Sequence, residues 1–197
     1  MIIWSIQTER AWKNLQREGR LIAHAHHQAD NWPDAYRWIT GQLSKRIGPS
    51  PVNEAAPLWG WYQWMDEKNK RPDLRSVRHH WAPPDNYVLL ECDLPDDQVL
   101  LSDFDAWHIV LNNGYMPLDE KSDDIFHQKL EQAGWKSGQP KPKGFLPEIR
   151  KSWDHIFDLE AMKEPYWNDT PQKSIQACFW EIPLHKVKSI RPFTTLK

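Results

Sequence analysis

The segment from Ser174 to Pro183 is largely apolar on both of the faces that an extended chain presents. Read with a period of two, one face carries Ile175, Ala177, Phe179 and Glu181, and the other carries Gln176, Cys178, Trp180 and Ile182. Because β-branched and aromatic residues are frequent and Pro183 closes the run, we predict a strand. A strand that is apolar on both faces needs cover on both sides, which constrains the chain to a layered domain.

A single carboxylate, that of Glu181, ends one of these apolar faces. A charge in such a position is costly unless it is paired, lies at an opening or takes part in chemistry. We therefore predict that Glu181 lies at the mouth of a cleft and acts on a bound small molecule. The alternative is that Glu181 emerges at the end of the strand and meets solvent or a lysine.

Length and composition limit the class of protein. The chain has 197 residues, which fits one domain over residues 1–197 that buries roughly 70% of its unfolded surface. A net charge of -2 does not indicate that the protein as a whole attracts nucleic acid. Cys92 and Cys178 lie inside apparent strands, which indicates buried thiols in a reducing compartment. No apolar run reaches membrane-spanning length, so we predict a cytoplasmic protein with no membrane partner.

Strand and helix patterns follow one another along the chain. Met1–Gln7 predicts a strand, Thr8 caps a helix that stops at Gly19, and Leu58–Trp64 predicts an aromatic strand. On that strand a period of two places Leu58, Tyr62 and Trp64 on one face. We predict an α+β fold of two small, mostly antiparallel sheets packed together with flanking helices. Residues 115–171 are predicted to form a helical and loop insertion.

Polar residues near the predicted strands are candidates for binding. Ser5 and Gln7 share a face of the first strand, where they either line a site or hydrogen-bond a neighbouring loop. Arg75 follows the aromatic strand and can hold a phosphate, unless Asp73 engages it in a surface turn.

Metal chemistry is not predicted for this chain. His24, His26 and His27 are clustered, but no carboxylate or thiol completes a recognised metal spacing. Asp103, Asp105 and His108 are possible ligands, but helix capping explains the two acids, so we interpret this cluster as structural or as cleft wall. The segment 135–144 places Trp135 among Lys136, Lys141 and Lys143, and it either touches a nucleic-acid backbone or is a solvated loop.

Several motifs together resemble a bacterial domain family of uncharacterised function. They are Ser5-Ile6-Gln7-Thr8, the Trp59–Trp64 strand, Arg71-Pro72-Asp73-Leu74-Arg75, Leu100–His108, Lys151-Ser152-Trp153 and the Gln176–Glu181 strand. The resemblance covers nearly the whole chain. More distantly, the order of strand, Thr-capped helix, glycine and strand, with Gln176-Ala177 before a late acid, resembles ADP-ribosyltransferases of toxin–antitoxin systems.

The second resemblance implies an ADP-ribosyltransferase-like fold around NAD as substrate. It implies that Ser5 and Gln7 hold the cofactor, that Tyr62 or Trp64 packs on the nicotinamide, that Arg75 holds the pyrophosphate and that Glu181 is catalytic. Such a carboxylate stabilises positive charge at the anomeric carbon as nicotinamide leaves. This chain departs from the family at Ser5, where many relatives have His or Arg, and at Phe179, which removes the Gln/Glu-x-Glu pair of arginine-modifying enzymes.

These features lead to two main functional hypotheses, and a third is a nucleotide-processing or RNA-end enzyme on the same scaffold. The first is a toxin or phage-defence effector that transfers ADP-ribose from NAD to an RNA or DNA base, with an antitoxin protein as a candidate partner. A nucleic-acid acceptor is favoured by the 135–144 segment and by the toxin resemblance. The alternative is a non-catalytic module whose aromatic cleft binds a nucleotide, a nucleic acid or a peptide.

Overall fold

The structure is a computed structural model that describes residues 1–24, 32–80 and 84–195. The chain divides into two compact units, residues 1–101 with 175–197 and residues 102–174. The inserted unit therefore begins at Ser102, earlier than the predicted insertion of 115–171, while the single domain over 1–197 stays a prediction.

The opening of the chain folds as local capping rules dictate. Strand β1 (Ile2–Thr8) leads directly into helix α1 (Glu9–Glu18). The Thr8 hydroxyl oxygen accepts a hydrogen bond from the Ala11 amide at 3.1 Å, which satisfies one of the free donors at the helix start. Gly19 ends the helix at φ 73°, and its amide donates to the Leu15 carbonyl. A left-handed residue at this position favours glycine, because a side chain would be strained there.

The remaining elements alternate between strands and helices. The strands are β2 (Arg20–His24), β3 (Ala55–Ala56), β4 (Leu58–Gln63), β5 (Asn86–Asp93), β6 (Leu100–Asp103), β7 (Ile175–Phe179), β8 (Glu181–Pro183) and β9 (Val187–Thr194). The helices are α2 (Pro33–Arg46), α3 (Leu74–His80), α4 (Phe104–Leu111), α5 (Glu120–Gln132) and α6 (Leu146–Ser152).

Two antiparallel sheets form the first unit, so the α+β prediction is confirmed. A six-stranded sheet has the order β6-β7-β4-β1-β5-β9, and a three-stranded sheet has the order β3-β2-β8. The predicted closing strand is two strands, because the chain bends at Trp180. All five residues of β7 are buried, as predicted for a strand covered on both sides, but Glu181 belongs to the smaller sheet rather than to the Ile175 face.

The six-stranded sheet sorts its side chains onto two faces. Along β5, Val88, Leu90 and Cys92 enter a cluster with Leu15 of α1 and with Leu21 and Ile182 of the smaller sheet; we name this side the α1 face. Tyr87 and Leu89 enter a second cluster, which contains Val77 of α3 and Phe193; we name this side the α3 face. Alternate residues of a strand point to opposite sides, so the two clusters lie on opposite faces of the sheet.

The second unit, residues 102–174, has a core of its own. Phe126 and Leu130 of α5 are buried, as are Ile149 of α6 and Trp153. The indole nitrogen of Trp153 donates to the Gly114 carbonyl at 2.8 Å, so the ring is hydrogen-bonded as well as packed.

Gly60 of β4 has no space for a side chain. A Cβ at this position would lie 2.5 Å from Ile3 Cγ2 and 3.1 Å from the Trp4 carbonyl oxygen. Ile3 is fully buried, so it cannot move aside easily. We expect Gly60→Ala to lower the free energy of unfolding by about 2 kcal/mol in urea denaturation. Gly41→Ala is the matched control, because that helical position has open space, and it should raise stability by roughly 0.5–1 kcal/mol. Equal effects of the two variants would contradict the packing at Gly60.

Candidate functional site

Glu181 lies on the edge strand of the smaller sheet. It is the register partner of Ile22, while Arg20 is the register partner of Pro183. Arg20 and Glu181 are thus diagonal neighbours, and Arg20 Nη1 lies 3.4 Å from Glu181 Oε2. Their side chains are 51% and 30% exposed, and such a pair adds about 1 kcal/mol or less to stability. The ion pair leaves part of the carboxylate accessible from solvent.

A cavity of about 190 Å³ lies beside Glu181. Its wall is formed by Ile47, Pro49, Pro51, Leu94, Gln98, Trp180 and Glu181. The Trp180 ring is held in place, since its indole nitrogen donates to the Gly48 carbonyl at 3.0 Å. Typical ligand cavities have volumes of roughly 300–1,000 Å³, so this one suits a single sugar or nicotinamide ring rather than a whole dinucleotide.

Ser5 and Gln7 are joined to each other and to strand β4. The Ser5 hydroxyl donates to the Trp59 carbonyl at 2.7 Å, and the Gln7 amide nitrogen donates to the Ser5 oxygen at 2.8 Å. Ser5 is fully buried, whereas Gln7 is half-buried. The observed bonds match the alternative in which these polar residues hydrogen-bond their neighbours, and contact of Gln7 with a ligand stays a prediction.

The structure separates the two aromatic candidates, Tyr62 of β4 and Trp64 directly after that strand. Tyr62 packs against the α1-face cluster, and Lys70 Nζ lies 5.3 Å from its ring centroid, in cation–π contact. Trp64 packs against the α3-face cluster and meets Trp61 edge-on at 4.6 Å between ring centroids. The prediction that Tyr62 and Trp64 share a face is wrong, because the β4–β7 register shifts between Trp61 and Gln63. A bulge of this kind turns the following side chain to the other side.

Arg75 lies at the start of α3, whose residues Leu74 and Val77 pack on the α3 face. Its side chain is 91% exposed, and Arg75 Nη2 lies 2.9 Å from Asp73 Oδ2. The hydrogen bond raises the pKa of Arg75 and lowers the pKa of Asp73. The alternative of an Arg75–Asp73 surface turn is therefore the observed geometry. Trp64 and Arg75 do not share the α1 face with Gln7 and Tyr62, and of the predicted residues only Glu181 lines the cavity beside Trp180. These positions correct the expectation, implied by the resemblance, that all the predicted residues surround one NAD molecule.

Sequence patterns missed a larger cavity in the first unit, with a volume of about 720 Å³. Four of its residues, Glu9, Trp12, Lys13 and Gln16, recur at helical spacing along α1. That stripe mixes a ring, an amide and two charges, which is the signal that could have revealed it. The cavities around Glu181 and along α1 are lined by none of Ser5, Gln7, Tyr62, Trp64 or Arg75.

A buried ion pair joins the beginning and the end of the second unit. Lys173 Nζ lies 3.0 Å from Asp103 Oδ2, and the side chains are 1% and 4% exposed. The other Asp103 oxygen accepts the Ala106 amide at 3.0 Å and caps α4, as predicted. Burial raises the pKa of nearby Asp105, and the Asp103 charge raises it further. Across residues 1–24, 32–80 and 84–195, no group of three or more metal-ligating side chains is assembled, and His26 and His27 lie outside these ranges.

The 135–144 segment is shaped by a side-chain bond. The Trp135 indole nitrogen donates to the Gln139 carbonyl at 2.9 Å, which closes a short turn. Lys136 and Lys143 are exposed and Lys141 is half-buried. Nucleic-acid contact by these lysines stays a prediction.

The fold and these sites define an α+β protein built on two antiparallel sheets. Residues 2–188 match the model of a domain of unknown function, DUF3841, and the chain belongs to that family. Searches against curated proteins and against solved structures find no significant match. Among the described helices, none is long and apolar enough to cross a bilayer.

The Asp103–Lys173 pair provides a test of the second unit. Lys173→Met leaves the Asp103 carboxylate buried without its cation, and we expect a loss of about 3–5 kcal/mol in the free energy of unfolding. The control is Lys129→Met, which removes an exposed partner of Glu148 and should cost about 1 kcal/mol or less. Urea denaturation followed by circular dichroism measures both. Similar losses for the two variants would contradict the burial of the pair.

The two cysteine thiols should be unreactive in the folded protein. Burial raises the pKa of Cys92 to about 12 and raises that of Cys178 as well. A raised thiol pKa removes the reactive thiolate, so we expect no reaction with a disulfide reagent at about pH 8 until urea unfolds the chain. Rapid reaction of the native protein would show that one thiol is accessible.

Proposed function

We propose that this protein is an NAD-dependent ADP-ribosyltransferase of the kind found among toxins and phage-defence effectors, with a nucleic-acid base as acceptor. The proposal rests on the accessible Glu181 carboxylate at the end of the buried β7–β8 segment, next to a cavity of ring size. An ADP-ribosyltransferase-like fold agrees with the order of β1, the Thr8-capped α1, Gly19 and β2.

In the proposed reaction, the bond between nicotinamide nitrogen and ribose C1′ breaks, and nicotinamide leaves with the bonding electrons. Positive charge develops on the ribose, and the Glu181 carboxylate stabilises it by electrostatic attraction. A base nitrogen or oxygen of the acceptor then bonds to C1′ and releases its proton to solvent. The cavity beside Trp180 would hold the nicotinamide ribose, and the remainder of NAD would extend outside it.

Of the predicted residues, only Glu181 lines the cavity beside Trp180. Glu181 alternates with Ile182 along β8 and so points away from the α1 face, where Gln7 and Tyr62 lie, and we leave these two residues, with Ser5, out of the proposed contacts with NAD. For the pyrophosphate-binding role that the resemblance implies for Arg75, the proposal instead uses Arg20, because its guanidinium lies 3.4 Å from Glu181. A guanidinium binds phosphate oxygens in pairs, and the half-exposed Arg20 side chain can turn toward them.

A nicotinamide-release assay tests the proposal. We expect Glu181→Gln to lower release from NAD by about 100-fold or more, since the neutral amide cannot offset the developing charge. The control is Glu67→Gln, an exposed acid in a loop of the same unit. Mass spectrometry of RNA, DNA and protein incubated with labelled NAD identifies the acceptor, and full activity of Glu181→Gln would refute the assignment.

The second hypothesis is a non-catalytic module that binds a nucleotide, a nucleic acid or a peptide. The cavity of about 720 Å³ favours it, because that volume lies within the range of ligand-binding sites. If the purified protein releases no nicotinamide in the presence of RNA, DNA and protein acceptors, this hypothesis replaces the first. Toxicity on overexpression that survives Glu181→Gln would point the same way.

A further inference from the structure

The cavity along α1 combines different chemical groups in one wall. Its lining includes Glu9, Trp12, Lys13 and Gln16 of α1, Arg78 of α3, and residues of β5 and β9. Two of the contributing strands are paired in register, with Asn86 opposite Thr194 and Val88 opposite Pro192. Strands β5 and β9 therefore supply one side of the cavity, α1 supplies the side that carries Trp12, and α3 contributes Arg78.

The charges of this wall do not cancel. Lys13 Nζ lies 2.8 Å from Glu9 Oε1, so these two charges offset each other. Arg78 is exposed at the cavity and leaves the wall with a net positive charge. A guanidinium of this kind favours an anionic group with two oxygens, as in a phosphate.

The other groups of the wall suit a planar base and its sugar. The Trp12 side chain is half-buried, so part of the indole is available for stacking against a base. The exposed Gln16 amide can donate and accept hydrogen bonds at a base edge, whereas Asn86 already accepts from the Thr194 hydroxyl at 3.0 Å and donates to Glu9 at 3.5 Å. The Glu9 carboxylate accepts hydrogen bonds, and a sugar diol provides two donors for it.

We infer that the α1 cavity binds a nucleoside phosphate, with its base on Trp12, its ribose hydroxyls on Glu9 and its phosphate on Arg78. The acid matches the ribose hydroxyls and the amide matches the base edge. The indole matches the base face and the guanidinium matches the phosphate. The inference does not depend on Glu181 or on the proposed transferase activity. The ligand is either a free nucleotide or one unit of a nucleic-acid strand.

Calorimetric titration with AMP and with adenosine tests the role of Arg78. We expect Arg78→Gln to weaken AMP binding by about tenfold or more, because a charge-assisted hydrogen bond is lost. Adenosine binding should not change, since adenosine has no phosphate. Arg37→Gln is the matched control, because Arg37 is an exposed arginine of α2 that pairs with Asp34 outside the cavity.

The ribose contact has its own test. Glu9→Gln should weaken AMP binding but leave the binding of 2′,3′-dideoxy-AMP unchanged, since the dideoxy sugar has no hydroxyls to donate. Circular dichroism and the urea midpoint of each variant establish that it is folded. Glu181→Gln should bind AMP as the parent chain does, which separates a failure here from a failure of the proposed transferase.

Short single-stranded RNA distinguishes the two sources of the ligand. Tighter binding of a five-nucleotide strand than of AMP, weakened by salt, would assign the cavity to a strand. Binding of AMP without binding of the strand would assign it to a free nucleotide. Absence of binding by both, or equal affinities in the parent, Arg78→Gln and Glu9→Gln proteins, would overturn the inference.

Discussion

The alternation of side chains across the six-stranded sheet is the constraint on which the first unit depends. Leu90 and Cys92 of β5 are fully buried on the α1 face, and Leu89 is buried on the α3 face. With both faces covered, a strand cannot slip by one residue without driving polar groups into a core. Away from the edge strand β9, the same alternation decides which polar residues can meet, since groups on opposite faces are separated by the sheet itself. At that edge, Arg78 of α3 lines the same cavity as residues of α1.

This constraint separates the residues of the predicted NAD site. Gln7 and Tyr62 lie on the α1 face, on which Leu21 and Ile182 pack, whereas Glu181 alternates with Ile182 along β8 and points away from that face. Trp64 and Arg75 belong to the opposite side, with Leu74 and Val77. The remaining cation near the acid is Arg20, which lies too far from Glu181 in sequence for its proximity to be read from a motif.

The features that sequence patterns predicted correctly are local ones. Thr8 and Gly19 bound α1 because capping depends on residues within one helical turn. The register shift at Trp61 and the bend at Trp180 depend on how β4 pairs with β7, which no single segment specifies. The α1 cavity was missed for the same reason, since its wall needs β5 and β9 beside the helix. The sequence thus indicated the α+β fold class, whereas the role of Glu181 stays a prediction.

The inserted unit begins and ends at adjacent points. Lys173 binds Asp103 inside the unit, and the Phe104 amide donates to the Ser174 carbonyl at 2.9 Å. A segment whose two ends are held side by side is thermodynamically a closed loop. The entropic cost of closing a loop grows only slowly with the number of residues in it. A longer or shorter segment at this place should therefore change the free energy of unfolding only slightly, as long as the strands that flank it keep their pairing.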